Sequence, residues 1–259
     1  MNPLAKIGAT FLAFLAATGR LVAFAGAVVG QALTPTYYPR HILKQFIEIG
    51  YYSLPVVGLT TLFSGMVLAL QSYTGFARFS AEGAVATVVV LSMTRELGPV
   101  LAGLMVAGRV GAAMAAEIGT MRVTEQIDAL TTLSTNPFKY LIAPRVIAAT
   151  ISLPILVLIG DIVGVFGGYV VSTYKLGFNP SNYIQSTVEY LELMDVVSGL
   201  VKAAVFGFII SLMGCYHGYN SGRGAQGVGA ATTNAVVSAS ILILVSNYFL
   251  TEVFFSGGG

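Results

Sequence analysis

A pair of adjacent opposite charges, Arg95 and Glu96, interrupts a long apolar stretch of the sequence. Residues 83–94 before the pair and residues 97–107 after it contain no charged residue. If a helix begins near Gly83, Glu96 lies roughly 20 Å along it, past the middle of a hydrocarbon core about 30 Å thick. Charges at that depth are costly unless they face protein or a water-filled cavity. Because neighbouring helical residues point in different directions, each charge is expected to need its own partner.

The composition places the whole chain in a membrane. Of its 259 residues 56% are hydrophobic and 9% are charged, and the mean hydropathy is +0.82, which lies outside the range of soluble globular domains. We predict an all-α integral membrane protein with one domain, residues 1–259, divided into an interfacial region at 1–48 and a transmembrane region at 49–259. No long polar stretch leaves room for a soluble catalytic domain, so we predict a subunit that is not itself an enzyme.

Five apolar stretches predict transmembrane helices, because each reaches the ~20 residues that a span requires. They cover residues 53–73, 84–106, 146–171, 196–216 and 235–255. The second span is expected to kink at Gly98-Pro99 and to continue as helix to Ala116. A short acidic helix, Ser181–Asp195, is predicted on the outer side between spans three and four.

The basic residues are unevenly distributed between the two sides of these spans. One side would hold Arg78 and Lys175, and the other would hold Lys6, Arg20, Arg40, Lys44, Arg109, Arg122, Lys139, Arg145 and Arg223. The positive-inside rule therefore predicts a cytoplasmic N-terminus.

The N-terminal residues 2–33 are apolar but are interrupted by Lys6 and Arg20. We interpret them as an amphipathic helix in the inner interface, with its basic side toward lipid headgroups. The alternative is a cleaved signal peptide with Lys6 in its charged region. The apolar character continues past any small-residue cleavage site, which disfavours that alternative.

Small residues recur at every fourth position in two of the spans, and such faces let helices approach closely in lipid. One ladder runs Gly103, Ala107, Gly111, Ala115, Gly119, and the other runs Gly160, Gly164, Gly168. The spacing predicts helix packing and leaves open whether the facing helix belongs to the same chain or to a second subunit.

Residues 120–135 are too polar for lipid but keep a helical pattern. Val123, Ile127 and Leu130 form an apolar stripe beside Arg122, Glu125 and Asp128. The pattern predicts a short amphipathic helix on the cytoplasmic side. Its stripe must be buried against the chain's own loops, the membrane surface or a docked partner.

Motifs for metal, nucleotide or covalent chemistry are weak or missing in the sequence. His41 and His217 lack metal-ligand spacing, so no metal site is predicted. No Walker A motif is present, and the GxGxxG match at residues 222–227 follows a predicted membrane span instead of a strand, which indicates a flexible cytoplasmic turn. Whether Asp161 on span three pairs with Lys202 on span four is left open, since Lys202 could instead extend to the outer headgroups.

The sequence RELGPVLAGLMVAGRVGAAMAAEIGTMRVTEQIDAL at residues 95–130, followed by NPFKYLIAPRVIA at 136–148, resembles the MlaE/YrbE family of ABC transporter permeases. The likeness extends over nearly the whole chain. One departure is Asn136, where the family pattern has Asp, and both residues cap helices about equally well. The resemblance implies transport of phospholipid between the bacterial inner membrane and a periplasmic MCE-domain partner, which maintains outer-membrane lipid asymmetry.

The resemblance also implies partners and residue roles. A homodimer of permeases would enclose a central cavity, a separate cytoplasmic ABC ATPase would bind ATP, and a STAS-domain accessory protein would join in some systems. No cofactor in this chain and no nucleic-acid partner are implied. Glu96 matches the family's lipid-cavity acid, with Arg95, Leu97 and Lys202 as further cavity residues. The predicted ATPase-coupling residues are Glu117, Arg122, Glu125, Ile127, Asp128 and Leu130.

A different class of function is an ion-coupled secondary carrier, in which Asp161, Glu96 and Lys202 would form an ion relay. The odd number of predicted spans and the lack of internal repeats disfavour it. An intramembrane enzyme would need a nucleophile and a base, and the sequence offers no such pair.

Overall fold

The computed structural model describes residues 3–34, 38–79 and 82–255. These residues form helices joined by short turns and contain no strand. The α-helices are α1 (Pro3–Ala32), α2 (Pro39–Ile49), α3 (Leu54–Phe76), α4 (Val85–Ser92), α5 (Gly98–Val106), α6 (Ala112–Val123), α7 (Gln126–Thr132), α8 (Ala143–Tyr174), α9 (Pro180–Tyr190), α10 (Leu193–Tyr219) and α11 (Gly224–Phe255). Three π-helical turns, Met93–Leu97, Ala107–Gly111 and Phe138–Ile142, connect or precede some of these helices.

Within the described ranges, six helical stretches are long and apolar enough to cross a membrane. They are Gly8–Ala32, Pro39–Phe76, Val85–Val123, Phe138–Tyr174, Leu193–Tyr219 and Gly224–Phe255. The last five match the five predicted spans, of which only the start of the second, at residue 84, lies outside its stretch. The prediction of an all-α membrane protein is confirmed. The first stretch lies within the predicted N-terminal helix and is long and apolar enough to span although it contains Arg20. The side chain of Lys6 lies outside the described residues.

The second span is one continuous helical rod from Val85 to Val123, longer than predicted. The expected kink at Gly98-Pro99 takes the form of a π-helical turn, Met93–Leu97, immediately before it. In a regular helix the proline ring would clash with the carbonyl group four residues earlier, and the proline has no N–H to donate. A π turn at this point changes the local register, and such turns are frequent at functional sites.

The structure divides the predicted acidic helix Ser181–Asp195 between two helices. α9 ends at Tyr190, and Glu192 caps a new helix, α10, which begins at Leu193. The Glu192 and Asp195 side chains form a capping box with each other's backbone N–H groups, a pairing that satisfies donors at a helix start. Asp195 therefore belongs to the fourth span.

The glycine-rich stretch near residue 222 is more regular than predicted. α10 continues to Tyr219 and α11 begins at Gly224, so that only residues 220–223 separate the two helices. The backbones of Gly222 and Gly227 touch, and any side chain at Gly227 would collide with the Gly222 carbonyl group. The glycines of this motif thus serve close backbone packing in a short turn.

Both glycine ladders face helices of the same chain. On α8, a side chain at Gly164 would collide with Met93, and Cβ atoms at Gly160 and Gly168 would lie 3.2 Å from Thr61 and 2.7 Å from Val89. On the second span, a Cβ atom at Gly103 would lie 3.2 Å from the Phe206 side chain, and one at Gly111 would lie 3.5 Å from the Ile210 side chain. Phe206 and Ile210 are both on α10. Among the described residues, these five glycines therefore let α3, α8, α10 and the second span approach closely.

Replacing Gly164 by Leu is expected to destabilise the fold of the single chain by about 1–3 kcal/mol, since overpacking forces backbone shifts. Gly58→Leu on α3 is the matched control because no atom lies within 4 Å of a Cβ at Gly58. Thermal unfolding of both variants in detergent checks the prediction. Equal transition temperatures would show that the contact between α8 and Met93 does not limit stability.

Candidate functional site

A polar cluster joins the second span, α10 and α11 around Glu96. The ammonium group of Lys202, on α10, is fully buried and lies 2.7 Å from Glu96 Oε1. It also donates to the carbonyl oxygen of Arg95 and to Thr251 Oγ1, both at 2.8 Å. A lysine has three N–H donors, so all donors of Lys202 are satisfied inside the protein.

The Arg95 carbonyl is available to Lys202 because of Pro99. In an α-helix this carbonyl would accept a hydrogen bond from the N–H of residue 99, which proline lacks. The Nζ atom of Lys202 supplies the missing donor at 2.8 Å. The RELGP segment therefore creates its own acceptor for the buried lysine, next to the carboxylate that neutralises it.

α11 holds the other side of the Glu96 carboxylate. Asn247 Nδ2 donates to Glu96 Oε2 and Thr251 Oγ1 donates to Glu96 Oε1, both at 2.8 Å. Glu96 nevertheless keeps 37% of its side chain exposed. The carboxylate is thus fixed by three helices and open on one side, where a further polar group can reach it.

Arg95 has a separate partner, as the sequence predicts. Its Nε atom lies 2.7 Å from Oδ1 of Asp195, which is buried at the start of α10. The guanidinium carbon lies 4.6 Å from the centre of the Phe255 ring, within the range of a cation–π contact. About a third of the Arg95 side chain stays exposed, so it also presents donors to the space beside the helices.

The remaining predicted cavity residue, Leu97, points into an apolar cluster. It packs against Ala69, Val85, Val89 and Met93 of α3 and the second span. The structure therefore brings Arg95, Glu96 and Lys202 together, and it uses Leu97 to anchor the π turn that carries the two charges.

Asp161 does not pair with Lys202. Its Oδ1 atom is buried without a hydrogen-bond partner and faces Gly98, where any side chain would collide with the carboxylate. Asp161 lines an otherwise apolar cavity of about 470 Å³ formed by the second span, α8, α9 and α10. Lys202 is hydrogen-bonded to Glu96, and its donors are all taken. Asp161, the third residue of the hypothetical ion relay, is therefore not hydrogen-bonded to the other two.

The predicted amphipathic segment begins at the end of the second span and is completed by α7. Ile127 is buried in the chain's own core, and Leu130 packs against that core, so the chain itself covers most of the apolar stripe. Val123 stays 37% exposed. Arg122 and Asp128 form an ion pair at 2.7 Å, and Glu125 is exposed with a left-handed backbone conformation at φ 57°.

Glu117, also predicted as a coupling residue, lies on the side of α6 that faces α8. Its carboxylate lies 2.8 Å from Nη2 of Arg145, whose side chain is almost fully buried. Arg145 also donates to the Leu141 carbonyl at 2.7 Å. Glu117 therefore neutralises a buried cation and links the end of the second span to the start of the third.

Comparison with known proteins places this chain in a family. The family described as Permease MlaE matches residues 42–253. The chain belongs to the MlaE permease family. A "Probable ABC transporter permease protein" of Rickettsia bellii is 64% identical over 255 residues, which cover 98% of each chain.

More distant MlaE relatives cover similar parts of the chain. The "Intermembrane phospholipid transport system permease protein MlaE" of Haemophilus influenzae is 34% identical over 262 residues, or 100% of this chain and 99% of the relative. "Protein TRIGALACTOSYLDIACYLGLYCEROL 1, chloroplastic" of Arabidopsis thaliana is 39% identical over 235 residues, or 91% of this chain and 67% of the relative. The family assignment makes the chain an ABC transporter permease.

In this MlaE-family chain, sequence reasoning missed three residues of the polar cluster. Asn247 and Thr251 stand four residues apart in an apolar span, which places them on one helix face, and that spacing could have identified them. Asp195 was placed outside the membrane because the acids before it suggested a polar helix. The completed cluster contains two cations and two anions, so its formal charge is zero while its exposed groups stay charged.

Proposed function

We propose that this chain is the transmembrane permease subunit of an ATP-driven transporter that moves phospholipid between the bacterial inner membrane and a periplasmic MCE-domain partner. By this proposal the transport maintains outer-membrane lipid asymmetry. The observation that carries the proposal is the Glu96 carboxylate, which is held within a membrane span by three helices and is open on one side. The printed name of the Haemophilus relative, an intermembrane phospholipid transport permease, supports the substrate class.

The polar cluster suits a lipid headgroup better than a free ion. Charges within a membrane are tolerated when they are paired, and the pairs Arg95–Asp195 and Glu96–Lys202 meet that condition. The exposed part of the Arg95 guanidinium can donate to a phosphate. The open side of Glu96 can accept from a hydroxyl or ammonium group. A headgroup can thus be bound without leaving an unpaired charge behind.

The energy would come from a separate ATPase on the cytoplasmic side. The sequence has no Walker A motif of its own, and a cytoplasmic N-terminus by the positive-inside rule puts the segment with Arg122, Glu125 and Asp128 on the side where ATP is found. We assign ATPase contact to the exposed residues of this segment. Ile127, Leu130 and Glu117 would support it from within the chain.

The proposed assembly contains two permease copies around a central lipid cavity. The MCE-domain protein would bind at the periplasmic end, and a STAS-domain protein would bind in the cytoplasm in some systems. α1 is proposed to lie in the inner interface, where α2 also presents Arg40 and Lys44 as exposed basic side chains.

Lipid bound by the purified permease tests the lipid cavity. Wild-type permease is expected to retain phospholipid through detergent washing, because paired charges and a headgroup satisfy one another in a low-dielectric site. Mass spectrometry of the extracted lipid gives the amount per chain. A properly folded permease that retains no more phospholipid than an unrelated membrane protein would contradict the proposal.

A further inference from the structure

A polar groove opens at the end of the second span, where α7 and the turn between α10 and α11 meet. Its volume is about 600 Å³. The lining residues come from two segments that are far apart in the sequence: Arg122, Val123, Glu125, Asp128, Ser221, Gly222 and Arg223. The predicted coupling segment thus forms only one wall, and the turn 220–223 forms the other.

The turn is held firmly against the end of the second span. Ser221 N donates to the Gly218 carbonyl at 3.1 Å, and Ser221 Oγ reaches the Gly119 carbonyl at 3.4 Å. Gly222 and Gly227 touch through their backbones, and Gly224 has a φ of +72°, which favours glycine. These contacts fix the position of Arg223 relative to the coupling segment.

Two opposite charges in the groove lack partners within the described part of the chain. Arg122 and Asp128 neutralise each other at 2.7 Å. Glu125 and Arg223 are exposed and form no ion pair or side-chain hydrogen bond among the described residues. A surface with one free acid, one free base and the exposed Val123 beside one ion pair is suited to a protein with complementary charges.

The acids in the groove argue against a lipid surface as its occupant. The cytoplasmic leaflet is negatively charged and attracts clusters of basic residues. Here Glu125 and Asp128 offset Arg122 and Arg223, so the groove has no net attraction for anionic headgroups.

The helices that meet at the groove are the helices that hold Glu96. The turn joins α10, which carries Lys202, to α11, which carries Asn247 and Thr251. A partner that contacts both walls of the groove would therefore hold the cytoplasmic ends of the three helices around the polar cluster.

We propose that the turn 220–223 is a second docking element for the ATPase, in which Arg223 contacts an acidic side chain of that partner. The inference rests on the proposed function, because it assigns a further contact to the same ATPase. It gives the glycine motif at residues 222–227 a role in positioning a protein contact, separate from any nucleotide site.

The Arg223→Glu variant tests this contact in the full complex. The tagged permease is co-expressed with the ATPase, and the bound ATPase and ATP hydrolysis in nanodiscs are measured. Juxtaposed like charges oppose association, so we expect roughly tenfold less bound ATPase and a matching loss of stimulated hydrolysis. Lys175→Glu is the matched control. It makes the same charge change at an exposed residue just after α8, which does not line the groove.

A crosslinking measurement tests the proximity of the turn to the ATPase without a charge reversal. Cys215 is the one cysteine in the sequence and is fully buried, so an Arg223→Cys variant carries an accessible thiol in the groove. A short maleimide–diazirine reagent attached there is expected to crosslink to the ATPase, whereas the same reagent on a Lys175→Cys variant is not.

The outcomes separate the two proposals. If wild-type permease binds no ATPase, the proposed function fails and the inference fails with it. If wild-type permease binds ATPase, but Arg223→Glu binds equally well or Arg223→Cys gives no crosslink, only the inference is overturned. An equal loss in Arg223→Glu and Lys175→Glu also overturns it, because the effect would then not be local to the groove.

Discussion

Replacing Glu96 by Ala is expected to abolish phospholipid transport. The change removes the carboxylate that neutralises Lys202, whose side chain is fully buried. A buried charge left without its partner is destabilising, so the single variant is expected to lose stability as well as activity. Glu96→Lys should be more severe, since it places two ammonium groups together. The measurement is the detergent sensitivity of a strain that lacks its own permease and carries each variant.

The double variant Glu96→Ala with Lys202→Met separates the loss of transport from the loss of stability. Replacing a buried ion pair by apolar residues is often neutral or stabilising, so this protein should reach the membrane in normal amounts. It is expected to leave the strain as detergent-sensitive as one without permease. A wild-type barrier in this strain would show that the carboxylate does not bind the transported lipid.

Reversing the charge of Glu125 or Asp128 is expected to uncouple the ATPase. Both residues are exposed on the segment that follows the second span. Asp128 pairs with Arg122 at the surface, and such pairs contribute only about 0–1 kcal/mol to stability, so Glu125→Lys and Asp128→Lys should leave the fold intact. We expect roughly tenfold less co-purified ATPase, because like charges meet in the interface. ATPase yield and hydrolysis in nanodiscs check this.

Ile127→Asp is unsuitable for the same test. The sequence left open whether the chain's own loops, the membrane or a partner covers the apolar stripe, and Ile127 is buried in the chain's own core. An unpaired carboxylate there would destabilise the permease directly. Thr132→Lys, at the exposed end of α7 and outside the groove, serves as the control for the two charge reversals. Normal ATPase binding by Glu125→Lys and Asp128→Lys would show that α7 does not dock the ATPase.

The sequence predicted the elements that depend on local patterns. The five apolar spans, the interruption by Arg95 and Glu96, and the start of a short helix near Ser181 all follow from composition and spacing. The partners of Glu96 depend on how distant helices face each other. Lys202 and Asn247 are separated from it by more than 100 residues, and one sequence carries little information about such contacts.

Other features were missed because two local effects compete. Pro99 suggested a kink, but a π turn before it and the Lys202 side chain satisfy the disturbed backbone. The glycines near residue 222 suggested flexibility, but close packing of Gly222 on Gly227 gives a short fixed turn. The ladders around Gly111 and Gly164 were compatible with a subunit interface, and only the helix arrangement shows that they pack within the chain.

ATP-dependent movement of phospholipid in a reconstituted system tests the central proposal most directly. Proteoliposomes would contain the permease with its ATPase and MCE-domain partner, and a fluorescent phospholipid would report transfer to acceptor protein. The account predicts transfer that requires hydrolysable ATP and is lost in the Glu96→Ala, Lys202→Met double variant. Transfer by the permease alone, driven by an ion gradient and abolished by Asp161→Asn, would contradict it and would establish a secondary carrier.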